Sequence, residues 1–129
     1  LGYYSRARNL QKAARQIVEN FGGVFPNTYD EIRSLAGVGD YTAGAVASIA
    51  FGLPVPAVDG NVLRVVARLT GDAGDITKPE TKRRMRGALE AVIPAGAPGD
   101  FNQAMRDLGA MVCLPNGAPL CARCPARGF

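Results

Sequence analysis

The sequence contains no histidine and no tryptophan, and only three cysteines among its 129 residues. Without histidine there is no Ser-His or Cys-His nucleophile pair and no zinc site that draws on imidazole. Acid–base chemistry is left to carboxylates, tyrosine, lysine or bound water. Three thiols cannot all pair in disulfides, nor close a four-ligand metal site alone. Long apolar runs are missing: the longest, Ala43 to Phe51, is broken by Gly44 and Ser48, well short of the roughly 20 residues that a membrane span takes. No targeting segment is visible, so the cytosol is the expected compartment and no membrane partner is expected. Period-two strand patterns, internal repeats and low-complexity tracts are absent too.

What is present suits one compact domain. Hydrophobic residues make up 47% of the chain and the mean hydropathy is +0.02. The net charge is +4, with an isoelectric point near 9.3, which permits a polyanionic partner without proving one. The cations fall in two clusters, Arg6, Arg8, Lys12 and Arg15 near the start, and Lys78, Lys82, Arg83, Arg84 and Arg86 later. Each reads equally as a solvated helix face. The chain begins at Leu1 rather than Met and stops in a Cys-rich segment, so it reads as an excerpt of a longer protein.

The dominant periodicity is helical, which predicts an all-α fold. Leu10, Ala13, Ala14, Ile17, Val18 and Phe21 share one helix face, stopped by Gly22-Gly23. Thr28 and Glu31 form a capping-box pattern before a short helix carrying Ile32 and Leu35. Gly37-Val38-Gly39 turns the chain, and Asp40 is expected to cap a helix running to Gly52. A helix near Asn61 is expected to bury Val62, Val65, Val66 and Leu69 and to end at Gly71. Pro79 opens another, with Met85, Leu89 and Val92 inward. The last is expected to start at Asp100 and carry Phe101, Met105, Leu108, Met111 and Val112.

Chemistry concentrates in three places. The turn Leu35–Asp40 has two glycines one residue apart, which let a backbone approach a ligand, followed by a helix start with unpaired N–H groups that can hold a phosphate. An ordinary helical hairpin needs the same glycines. Asp59 sits between an apolar loop and an apolar helix, where an unpaired carboxylate is costly; it has either a task or a helix to cap. Cys113, Cys121 and Cys124 form C-x7-C-x2-C, a close spacing open to cysteine-ligated metal, a four-cysteine zinc site among the choices, or to buried free thiols.

The string LAGVGDYTAGAVASIAFG followed by PAVDGNVLRVVARL resembles the helix-hairpin-helix glycosylase superfamily of base-excision DNA repair. The resemblance implies that Gly37, Val38 and Gly39 offer backbone amides to a DNA phosphate, for positioning rather than sequence reading. It makes Asp59 the catalytic carboxylate, accompanied by Asn61. Bifunctional members carry lysine where this sequence has Tyr41, so the resemblance implies a monofunctional enzyme that leaves an abasic site. LGYYSRARNL and DFNQAMRDLGAMVC narrow it to the adenine DNA glycosylase family, which acts on adenine opposite 8-oxoguanine or guanine in double-stranded DNA. There Tyr3 corresponds to a wedge beside the lesion, and Gln103 to the pocket for the extruded base. The family's cysteine pattern, C-x6-C-x2-C-x5-C, holds a 4Fe–4S cluster; here the first gap is one residue longer and the fourth ligand would follow Phe129. Residues 1–112 would then form the helical core, with the hairpin unit at 28–51 and the catalytic loop at 53–64, and 113–129 an incomplete cluster loop.

The family's general acid is a glutamate that would precede Leu1, so the isolated chain is expected to be inactive. A monomer is expected, in a bacterial cytosol at the nucleoid. Two other functions fit the sequence: a thymine or uracil mismatch glycosylase of the same superfamily, and a non-catalytic helix-hairpin-helix DNA-binding module.

Overall fold

The computed structural model describes residues 3–129. Its elements are six α-helices, α1 (Tyr4–Phe21), α2 (Tyr29–Arg33), α3 (Asp40–Phe51), α4 (Gly60–Thr70), α5 (Pro79–Glu90) and α6 (Pro98–Met111), and a 3₁₀ turn at Cys121–Arg123. There is no strand among the described residues, as the helical periodicity predicts. No helix among them is long and apolar enough to cross a membrane.

Local signals set most boundaries. Gly22, Gly52 and Gly71 end α1, α3 and α4 in the left-handed conformation, with φ of 62°, 63° and 66°, which glycine adopts without steric cost. Thr28 caps α2 by accepting from the Glu31 amide at 3.4 Å, while its hydroxyl donates to the Glu31 carboxylate at 2.7 Å. Pro79 occupies the first turn of α5, where no amide hydrogen is needed.

Two apolar clusters hold the helices together. Ile32, Ala43 and Ala47 join α2 to α3, with Tyr29, Val38 and Leu53 around them. Val62, Leu63, Val66, Met85 and Leu89 join α4 to α5, with Phe101 and Met105 of α6 against them. Helix α6 packs on both α3 and α4 and so links the clusters. Glycines make this close approach possible: a Cβ at Gly99 would lie 3.0 Å from the Ile49 Cα, and one at Gly109 would lie 2.8 Å from the Asn61 Cβ.

Several expected inward faces are not inward. On α1 only Ala13 is buried, while Leu10 and Val18 are 74% and 66% exposed. This helix meets the turn before α3, not another helix: Gln16 accepts from the Ala36 amide at 2.8 Å, and Asn9 packs against Gly37. Leu69, Val92 and Met111 are also exposed, because each lies at or beyond the last turn of its helix, past the reach of the neighbouring element. Helix α6 begins at Pro98 rather than Asp100, since proline and Gly99 fit its first turn against α3.

Candidate DNA-processing site

The turn between α2 and α3 is built around Arg33. Its guanidinium donates to the Val38 carbonyl at 2.8 Å and to the Asp40 carboxylate at 2.6 Å. Asp40 is therefore not the cap expected for α3: Gly39 holds that position, and Asp40 is the first helical residue, turned back to Arg33. Its hydrogen bond from Arg33 holds its carboxyl below the usual range, and the same bond raises Arg33. Gly37 has φ +77°, and the Val38 amide closes the turn on the Leu35 carbonyl at 3.1 Å. Among the described residues, the amides of Gly37 and Gly39 meet no acceptor. They precede a helix whose first intrahelical bond runs from Ala43 to Gly39, so a short run of N–H groups is available to an anion.

Asp59 is the N-cap of α4, accepting from the Val62 amide at 2.9 Å. It is half-buried and lines a cavity of about 680 Å³ together with Asp40, Leu63 and, from α5, Lys82, Arg83 and Arg86. The capping bond fixes one carboxylate oxygen and thereby the rotamer of the whole group. The loop that delivers Asp59 is held from behind by two features. Asn102 is 6% exposed; its Oδ1 accepts from Ala57 N at 3.0 Å, and its Nδ2 donates to Ser48 Oγ at 2.8 Å and to the Val55 carbonyl at 2.9 Å. Gly44 of α3 lies directly on the Pro56 carbonyl, in a space that a Cβ would fill.

The other expected site residues lie around this centre rather than in the same cavity. Asn61 is half-buried, and its Oδ1 accepts from Arg64 at 2.9 Å. Tyr41, the second residue of α3, sits beside Arg106 of α6, whose guanidinium it helps to keep protonated after the larger effect of Asp107. Gln103 is half-buried and bonds back to the Gly99 carbonyl at 3.4 Å. Tyr3 is 61% exposed at the head of α1, with the Arg6 guanidinium 5.5 Å from its ring centre. It lines a groove of about 640 Å³ shared with Gly37 and Val38. Gly2 of the GYYSR segment lies outside the described residues.

Cys113, Cys121 and Cys124 carry no disulfide and line one cavity of about 250 Å³, with Arg68 and Arg127 at its wall. Arg68 donates to Cys113 Sγ at 3.2 Å and to the Leu114 carbonyl at 2.8 Å. Among the described residues, no three His, Cys, Asp or Glu side chains stand close enough together to hold a metal ion. Three thiols around one cavity suit an iron–sulfur cluster in the kind of donor, though not in their present spacing, and three are too few to hold one by themselves.

Arg64 connects this cavity to the site. Besides Asn61 it donates to the carbonyls of Gly109, at 2.7 Å, and Cys113, at 2.9 Å. Sequence reasoning missed Arg64, Arg68, Arg33 and Asn102. The first two are spaced four apart on α4, which puts them on one face; that spacing was the available signal. Nothing local marked Asn102, whose partners lie 45 to 54 residues away in sequence.

Known proteins carry the same architecture. "Adenine DNA glycosylase" of Homo sapiens is 48% identical over 130 residues, covering 100% of this chain and 24% of that protein. A thermostable thymine-DNA glycosylase structure superposes with a TM-score of 0.83 at 32% identity, covering 95% of this chain and 56% of that one. A non-covalent endonuclease III–DNA complex gives 0.78 at 32% identity, with 98% and 57% covered. The chain thus spans about a quarter of the human relative and just over half of each solved chain. The model of the HhH-GPD superfamily matches residues 1–91, a span that takes in the hairpin, Asp59 and α5, and on that match the chain belongs to this superfamily of base excision DNA repair proteins.

Proposed function

We propose that this chain is the helix-hairpin-helix part of a monofunctional adenine DNA glycosylase, which hydrolyses the N-glycosidic bond of adenine opposite 8-oxoguanine or guanine. The observation that supports it most is the placement of Asp59: a carboxylate with a fixed rotamer, on a cavity that reaches the head of the hairpin helix. The name of the human relative supports adenine as the base.

In this reading the amides of Gly37 and Gly39 hold a backbone phosphate, while that of Val38 is spent on the Leu35 carbonyl, and Tyr3, on the groove lined by Gly37 and Val38, meets the lesion strand. The adenine leaves the stack, because its bond to the sugar cannot be reached inside the duplex, and Gln103 borders its pocket. A proton must reach the base for it to leave as a neutral group. As the bond breaks, Asp59 stabilises the positive charge on the sugar until water adds. Asn61, tied to Arg64, holds the first turn of α4 in register. By the same resemblance Tyr41 takes the sequence position of the attacking lysine of bifunctional members, and a phenol forms no Schiff base. Cys113, Cys121 and Cys124 would supply three ligands of a 4Fe–4S cluster, a structural brace for the loop that Arg64 and Arg68 grip; no step of the reaction runs through it. The protein acts as a monomer on double-stranded DNA.

The fit to a thymine-DNA glycosylase favours a second reading, removal of thymine or uracil from a mismatch. Release of free base by the full-length protein from A:8-oxoguanine, A:G, T:G and U:G duplexes, run side by side, separates the two. Adenine release is expected. Thymine or uracil release without adenine release would transfer the assignment to the second reading.

A further inference from the structure

The cavity of Asp59 carries more positive charge than the hairpin and one carboxylate require. The leading ends of three helices meet on it, at Asp40 of α3, Gly60 of α4 and Pro79 of α5, and each contributes the positive end of a helix dipole. Of its three cations, Arg86 is already engaged, 3.0 Å from Glu90 and 5.1 Å from the centre of the Tyr29 ring. Asp40 is taken by Arg33, and on the same helix α5 Arg84 is taken by Asp72. Lys82 and Arg83 are different: both are exposed, both line the cavity, and neither has a carboxylate within salt-bridge reach among the described residues. Two cations against the one carboxylate of Asp59, beside three helix heads, make a site for an anion that arrives from solvent.

The cavity is continuous with the head of the hairpin helix through Asp40, so an anion here belongs to the same ligand that the hairpin holds. A repeating polyanion satisfies both places at once. Resting on the glycosylase reading above, we propose that Lys82 and Arg83 hold a backbone phosphate of the base-bearing DNA strand at the rim of the Asp59 cavity, a second anchoring point beside the one that the hairpin offers. Arg83 presents a planar fork to a phosphodiester, and Lys82 a mobile point charge. Both are positioning residues: they fix where the sugar lies relative to Asp59 and take no part in bond breaking.

The test is the salt dependence of DNA affinity in the full-length protein. The probe is an A:8-oxoguanine duplex whose adenine sugar carries a 2′-fluoro group, so that no base is lost during titration. In Lys82→Gln/Arg83→Gln the slope of log Kd against log salt falls by about 0.9, the share of one phosphate. Binding lost by the variant therefore shrinks about 3.5-fold between about 50 and 200 mM salt. Arg83→Lys alone keeps the charge and most of the slope. Far-UV circular dichroism and Tm of the double variant match wild type, because both side chains are exposed, which a structural disturbance of the Asp59 loop would not allow. The charge-matched control Lys12→Gln/Arg15→Gln leaves the slope within about 0.3 of wild type.

An unchanged slope in the double variant overturns the proposal, as does an equal fall in the control, which would mean only a diffuse field. A wild type that binds the duplex yet releases no base refutes the glycosylase reading and leaves the slope comparison to decide this one.

Discussion

Replacing Asn102 by alanine removes three hydrogen bonds from a site that is 6% exposed. The Ala57 amide and the Val55 carbonyl lose a partner, and Ser48 Oγ keeps only its bond to the Ala45 carbonyl. At about 1 to 1.5 kcal/mol per bond the loss is about 3 to 4.5 kcal/mol, and a water in the vacated space brings it to about 3. Unfolding of 129 residues carries an entropy of about 0.27 kcal/mol/K, which turns this into a fall in Tm of about 11 °C. The assay is thermal melting of the chain followed by circular dichroism, with base release by the full-length protein measured well below the transition. Because the three bonds tie α3 and α6 to the loop leading into Asp59, release slows even where the variant is folded. Asn102→Asp supplies a contrast. It retains an acceptor for Ala57 but buries a carboxylate facing the Val55 carbonyl, so its pKa rises on folding, and stability lost at pH 7 returns as pH falls and the group protonates. A Tm for Asn102→Ala within about 3 °C of wild type would refute the reasoning.

Gly44→Ala drives a methyl into the Pro56 carbonyl, with the Pro56 carbonyl carbon and Ala57 Cα at 3.0 and 3.1 Å; a loss of about 1 to 3 kcal/mol is expected in urea unfolding. Arg64→Lys keeps the charge but not the fork that reaches Asn61, Gly109 and Cys113. Cys113 is then expected to react faster with a thiol reagent, with a stability loss of about 2 kcal/mol. The carboxyls of Asp72 and Asp75 are held below their ordinary value of 3.8, Asp72 by the Gly74 amide and then Arg84, Asp75 by the Thr77 hydroxyl and amide. Their contribution to stability is thus complete above the unfolded pKa of 3.8 and lost as pH falls through the lowered folded values. Urea midpoints should hold between about pH 5 and 7 and drop below about pH 4, with a shallower drop in Asp72→Asn.

The helices were legible where local chemistry sets them. Left-handed glycines, the Thr28–Glu31 cap and Pro79 act within a turn of themselves, and each is found in place. Asp59 as a cap was legible for the same reason. Periodicity misled where an apolar face has no neighbour to meet, as at Leu10 and Val18. It could not separate the two fates of an acidic residue at a helix head: Asp59 caps its helix, whereas Asp40 is drawn away by Arg33, seven residues earlier. The supports of the site, Asn102 and Arg64, act across 45 to 54 and 45 to 49 residues of sequence. Such contacts depend on how α6 lies over α3 and α4, which no local pattern encodes.

The account turns on Asp59, and Asp59→Asn tests it most directly. Asparagine caps a helix as well as aspartate does, so the variant should fold with an unchanged Tm while losing the charge that faces the cationic sugar. The measurement is single-turnover adenine release by the full-length protein from an A:8-oxoguanine duplex, with strand breaks scored before and after alkali. The account predicts that wild type releases adenine and breaks the strand only after alkali, and that the variant is slower by at least about a hundredfold. An Asp59→Asn protein that releases adenine at the wild-type rate would contradict it.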